Sequence, residues 1–289
     1  MDPSLNSYFS RLFNSEDPLN SFQPIPPTPE SSSVGVGLTQ EDLETDQEPY
    51  AFFRHFRTVF LIDDSVSMTQ HWGRVCALFK EIAPICSQYD SKGADLWFVN
   101  HGHHYLTQMR NDGTDNNASA IFQSVQPNSS CRLGRRLKRI LKDYMRLYIR
   151  RLKGEVENDP RPLQFVVIMA GAIDDDIVQP LMWTAIGLDI LRAPLFQFGV
   201  QFLHIENKEI RELNELYSMS KRFNFRPIAN TEYMQWTAHG VLGILRDFAK
   251  ASVALENERA DKSESDSIFE YDSESSSESS GESGGAYIT

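Results

Sequence analysis

Apolar and polar positions fall into blocks of two kinds along this chain. Thr58 to Ile62 is a mainly apolar run that stops at Asp63-Asp64, and Leu163 to Met169 is a second such run. Runs of this length and character predict strands buried on both faces. Between them, apolar residues recur at helical intervals. Trp72, Val75, Cys76, Phe79, Ile82, Ala83 and Cys86 predict a helix from Ser67 to about Cys86. Asp95 to Asn100 reads as the next strand, Leu106 to Met109 as a short edge strand, and the region near 117–125 as a short helix. Leu133, Leu137, Ile140, Leu141, Tyr144, Tyr148 and Leu152 share one face of a long helix over 133–152. A helix is expected from Asp174 to about Leu191, interrupted or bent near Pro180. Phe196 to Ile205 contains a strand, 207–220 a helix, and 224–229 a short strand. The last helix is expected from about Met234 to Leu255, with Val241, Ile244, Leu245, Phe248 and Ser252 inward.

Strands and helices that alternate in this way predict a three-layer, doubly wound α/β fold. Its sheet is mostly parallel, with helices on both faces. Such folds bind ligands at the carboxyl ends of their strands. The segments beginning at Asp63, Asn100 and Ala170 should therefore share one rim.

Charge divides the chain into three parts. Residues 1–50 hold nine Asp or Glu against Arg11 alone, and residues 256–289 hold ten against Arg259 and Lys262. The net charge of −12 thus resides in the two ends, around a mildly basic centre. The N-terminal end is broken by Pro24, Pro26, Pro27 and Pro29, and the C-terminal end is Ser, Glu and Gly with few apolar residues. Neither buries enough surface to offset the entropy of ordering. The expected organisation is a disordered acidic segment over 1–48, a folded domain over 49–255, and a disordered Ser/Glu-rich tail over 256–289. Leu5, Tyr8, Phe9 and Leu12 have the spacing of a short docking helix or of a frayed terminus. The sequence lacks a membrane-length apolar run and a signal-peptide pattern. Its three cysteines, Cys76, Cys86 and Cys131, are an odd and small number. Ten residues of helix would hold Cys76 and Cys86 roughly 15 Å apart, too far for a disulfide. The expected setting is intracellular, cytoplasmic or nuclear.

The rim carries one motif. Asp63-Asp64-Ser65-Val66-Ser67-Met68 follows the first strand, and its D-x-S-x-S spacing can turn a carboxylate and two hydroxyls toward one point. Oxygen donors in that arrangement suit magnesium, whereas an isolated Asp or Ser there would serve equally well as a helix cap. The segment, with Pro49-Tyr50-Ala51-Phe52 before it and Ile85 to Asp90, Asp95 to His101, Gly134 to Leu137, Val167 to Gly171 and Gly199 to Phe202 after it, resembles the von Willebrand factor type A domain of fungal intracellular proteins. The resemblance spans roughly 49–255 and implies a fold of the von Willebrand factor A, Rossmann-like type. It also implies a metal-ion-dependent adhesion site that starts at Asp63, Ser65 and Ser67. The family completes that site with a Thr and an Asp, which fall here on Cys131 (or, with a one-residue slip, Ser130) and Ala170. A thiol is a soft ligand and a methyl group no ligand at all. The site is therefore expected to be vestigial, with no cofactor or only weakly held magnesium. Asp174, Asp175 and Asp176 are expected to cap the following helix.

Other clusters were weighed against this one. His101, His103 and His104 with Cys131 match no familiar zinc spacing and read as loop histidines. The helix over 132–153 is strongly basic. Its Arg135, Lys138, Arg139, Lys142 and Arg146 are candidates for binding an anionic partner, or form a merely solvated face. No nucleic-acid motif accompanies them, which argues against RNA or DNA. Ser263, Ser267, Ser275 and Ser279 each have a carboxylate three residues on, a spacing similar to that of acidophilic-kinase substrates. A phosphorylated tail could dock on the basic helix. No phosphate loop or nucleophile elbow is present, so no catalytic residues are assigned. The expected function is a non-enzymatic, metal-independent module that binds a protein partner not named by the sequence. The alternatives are a magnesium-dependent adhesion module and an electrostatic binder of nucleic acid or acidic lipid.

Overall fold

The computed structural model describes residues 38–45, 47–90, 94–102, 104–107, 117–155, 161–205 and 237–274. The sheet within them has five strands: β1 (Arg57–Ile62), β2 (Ala94–Phe98), β3 (His104–Thr107), β4 (Leu163–Met169) and β5 (Phe198–His204). Their order is β3-β2-β1-β4-β5. β2, β1, β4 and β5 run parallel, while β3 pairs antiparallel with β2 at the edge. The link from β2 to β3 is too short for a parallel crossover and permits only a hairpin return.

The helices are α1 (Gln40–Leu43), α2 (Trp72–Tyr89), α3 (Asn117–Ser124), α4 (Leu133–Leu152), α5 (Val178–Ile190) and α6 (Ala238–Glu274). Strand parity splits the core in two. Phe60 and Ile62 of β1 join Val166 and Ile168 of β4 under α2, α3 and α6. Val59 and Leu61 join Phe165 and Val167 under α4 and α5. Phe60 meets Phe79 edge-on at 5.3 Å, and Phe98 meets Phe122 in the same way at 5.5 Å. The fold is a three-layer, Rossmann-like α/β sandwich, as the sequence pattern predicts.

Several boundaries differ from expectation for physical reasons. α5 begins at Val178, because Asp176 Oδ1 accepts the Val178 and Gln179 amides and caps the helix there. Pro180 then lies in the first turn, where a missing N–H has no intrahelical partner to lose, so no bend is needed. The loop after β1 forms a 3₁₀ turn at Val66–Met68 before α2 starts at Trp72. α6 continues to Glu274, past the helix end expected near Leu255. Residues 256–262 are mostly Glu, Arg, Lys and Ala, which favour helix without an apolar stripe. The helix expected over 207–220, the strand over 224–229 and the N-terminal docking segment lie outside the described residues. No helix among the described residues is long and apolar enough to cross a membrane.

Candidate functional site

Opposite crossovers create the site. The chain leaves β1 toward the face carrying α2 and leaves β4 toward the face carrying α5. The backbone therefore parts between the carboxyl ends of these neighbouring strands, which is where doubly wound folds place ligands. Asp63 takes up that position, anchored by its amide to the Ile168 carbonyl at 2.8 Å.

The D-x-S-x-S spacing does gather its three side chains. Asp63 is fully buried, and its Oδ1 accepts the Ser65 amide at 2.9 Å. Its Oδ2 accepts the Ser65 hydroxyl at 2.9 Å and the Ser67 hydroxyl at 3.4 Å. The two hydroxyl oxygens are themselves 2.8 Å apart. Cys131, also buried, closes the cluster from the α4 side, with its thiol near the Asp63 carboxylate. Burial, and then the Asp63 charge, push the Cys131 thiol well above its ordinary range, so the sulfur stays protonated and can donate. Ser130, the alternative by a one-residue slip, is exposed, and its carbonyl accepts Asn100 Nδ2 at 3.0 Å. Ala170 is fully buried and packs into the core beneath α2 and α6. Gly171 lies so close to Ser67 that a side chain there would overlap the serine hydroxyl.

The neighbouring carboxylates are engaged elsewhere. Asp174 Oδ2 accepts the Cys131 amide at 2.8 Å, and the Asp174 amide returns a bond to the Cys131 carbonyl at 3.0 Å. Asp175 accepts the Gly134 and Arg135 amides with its two oxygens, each at 2.7 Å. It therefore caps α4 rather than the following helix, and of the three acids Asp176 alone caps α5. Asp64, buried beside Asp63, holds the rim together: Oδ1 accepts the Asn100 amide at 2.7 Å and Oδ2 the His101 amide at 3.0 Å. Burial shifts its carboxyl upward, against the lowering effect of those two bonds. The Asp64 carbonyl accepts Asn128, and Val66 donates to the Ser129 carbonyl, which ties the loop before α4 to the loop after β1.

Set against known proteins, the chain matches no protein-family model and no curated protein significantly. The chemistry of the rim has to be argued from its own residues. Magnesium requires about six oxygens in octahedral array near 2.0–2.1 Å. The side-chain donors gathered here are one carboxylate and two hydroxyls, with a protonated thiol beside them. That set does not fit a hard dication. Among the described residues, no group of three or more His, Cys, Asp and Glu side chains is placed to hold a metal. His103 lies outside the described residues, so the histidine cluster is not assembled as a site here.

The basic helix is placed as its pattern predicts, with one exception. Arg135, Lys138, Arg139 and Arg146 are exposed and Lys142 is half-exposed. Arg136 is buried instead, with its guanidinium 4.7 Å from the Trp97 ring centroid and Nη2 donating to the His101 carbonyl at 3.0 Å. Its place four residues before Ile140 and eight before Tyr144 puts it on their inward face. Of the four tail serines, Ser263 and Ser267 fall within α6, while Ser275 and Ser279 lie outside the described residues.

Proposed function

We propose that this chain is a non-enzymatic protein-binding module of the von Willebrand factor A type, and that it engages its partner without a bridging metal. The reading draws support from one observation above all. The Asp63, Ser65 and Ser67 oxygens are gathered at the switch point, yet they hydrogen-bond one another, with the Cys131 thiol beside Asp63. A partner then meets an intact rim of loops in place of an open coordination position. Val66, 63 % exposed within that rim, and the exposed Asn128, Ser129 and Ser130 beside it supply an apolar contact and polar groups for recognition.

The test is capture of partners by the full chain with and without a chelator. Proteins retained equally under both conditions, and lost when Val66 is changed to Arg, support the reading. Retention that requires magnesium contradicts it.

A further inference from the structure

The bases of α4 form a line. Arg132, Arg135, Arg139, Lys142, Arg146 and Arg150 follow one another at steps of three or four residues, so they share one side of the helix. The opposite side is buried through Leu137, Leu141, Tyr144 and Tyr148. The stripe runs the length of a 20-residue helix, about 30 Å. Asp143 lies 3.8 Å from Arg146 and Glu155 lies 3.3 Å from Arg150, so two carboxylates already share a surface dominated by cations. Both aromatic residues of α4, Tyr144 and Tyr148, point inward, which leaves the stripe without a platform on which nucleobases could stack.

A complementary charge lies on the same chain. Residues 263–289 carry seven Asp or Glu and no Lys or Arg. α6 reaches this segment from a fixed point: Glu256 accepts the Leu195 amide at 2.7 Å. Residues 257–261 are all exposed, so the helix has left the body there. Leu195 follows closely on α5, and α5 packs beside α4. α6 and α4 pack on opposite faces of the sheet, and the 27 residues of the acidic segment, up to about 90 Å when extended, are long enough to reach round the sheet edge to the stripe. A helical stretch as exposed as 257–261 draws little stability from packing and can rearrange at little cost.

We propose that the basic stripe of α4 is a docking surface for the acidic C-terminal segment, residues 263–289, of the same chain. Single exposed ion pairs are weak, but a tethered partner acts at roughly millimolar effective concentration, where several such pairs together suffice. Transfer of the γ-phosphoryl group of ATP to Ser275 or Ser279 by an acidophilic protein kinase, with release of ADP and the hydroxyl proton, deepens the negative charge and tightens the contact. The stripe begins beside the rim at Arg132 and runs away from it along α4, and the inference stands or falls independently of how the Asp63 loop is read.

The test uses the full chain and zero-length cross-linking of lysine to carboxylate, read by mass spectrometry. Cross-links from Lys138 to the segment 263–289 are expected within one molecule in a mixture of light and heavy isotope-labelled chains. They should fall about fivefold in the Arg135→Glu/Arg139→Glu variant and in about 0.5 M salt. They should rise after kinase treatment. Both substituted side chains are exposed, and an unchanged melting temperature shows that the variant is folded; a second variant, Arg146→Glu, replaces it if it is not. Absent cross-links, cross-links unaffected by charge reversal, or cross-links only between copies overturn the proposal. So does tight binding of a single-stranded 20-nucleotide RNA or of phosphatidylserine vesicles that leaves the segment unprotected and is abolished by the same reversal, since the stripe then serves that polyanion.

Discussion

The hydroxyl oxygens of Ser65 and Ser67 lie 2.8 Å apart, and Ser65 Oγ is also 2.9 Å from Asp63 Oδ2. Each hydroxyl has a single proton to give. With the Ser65 proton on Asp63, the Ser67 proton is left to bridge Ser65 and, at 3.4 Å, Asp63. The Ser65 proton thus points toward the carboxylate, and the Ser67 proton is shared between Ser65 and Asp63. A cation at that place would need the same hydroxyls turned round, with lone pairs inward.

This order of contacts ranks two substitutions. Ser65→Ala removes a direct hydrogen bond to a buried carboxylate and is expected to cost about 1–3 kcal/mol. Ser67→Ala removes the longer bond and should cost less. Urea unfolding of the two variants checks the ranking, and the reverse order would contradict the arrangement described.

On the proposed von Willebrand factor A reading, supplying the Thr and Asp of that family at Cys131 and Ala170 should create metal binding. Cys131→Thr with Ala170→Asp places a hydroxyl and a second carboxylate at the rim. Ala170 is fully buried, so the new charge destabilises the metal-free variant. Its melting temperature should be below that of the parent and should climb with magnesium, while the parent shows no such dependence. A variant equally indifferent to magnesium would mean that the cluster cannot open.

Cys131 sets a pH dependence. Burial and the Asp63 charge raise its thiol in the folded chain, while the unfolded thiol ionises near about 8.5. The neutral thiol therefore contributes its full stability below that value. The contribution is lost progressively as pH rises above it, because only the unfolded state gives up the proton. Cys86, buried and also raised, adds to the same trend. Stability measured from pH 7 to 10 should decline, and replacing Cys131 with Ser should flatten part of the decline. In the native protein the half-buried Cys76 should be alkylated well before Cys131.

Asp175 and Gly134 form a joint that allows no side chain between them. The Asp175 carboxylate accepts two amides at the start of α4, and a Cβ on Gly134 would overlap the Asp176 carbonyl. Asp175→Ala should cost about 1–2 kcal/mol through the lost cap. Gly134→Ala should cost about 1–3 kcal/mol through overpacking. Chemical denaturation of each variant measures both.

The fold was legible because its strands are apolar runs and α4 keeps a clean inward stripe. Asp63, Ser65 and Ser67 were legible because their contacts are local. The roles of Asp64 and Asp175 were not. Asp64 binds amides 36 and 37 residues away, and Asp175 binds amides 41 and 40 residues earlier, partners that only the sheet order brings near. Three consecutive acids before a helix look alike in sequence, yet one holds Cys131, one caps α4 and one caps α5. Arg136 resembles the exposed bases around it by residue type, although its position relative to Ile140 and Tyr144 puts it inside. The extent of α6 was missed because apolar periodicity marks where a helix packs, not where it stops.

Calorimetric titration of the full chain with magnesium chloride tests the central claim most directly. With the Asp63, Ser65 and Ser67 oxygens occupied by one another and a protonated thiol beside them, no saturable heat is expected below about 1 mM metal. A one-to-one isotherm with a Kd in the micromolar range, abolished by Ser65→Ala, would contradict it.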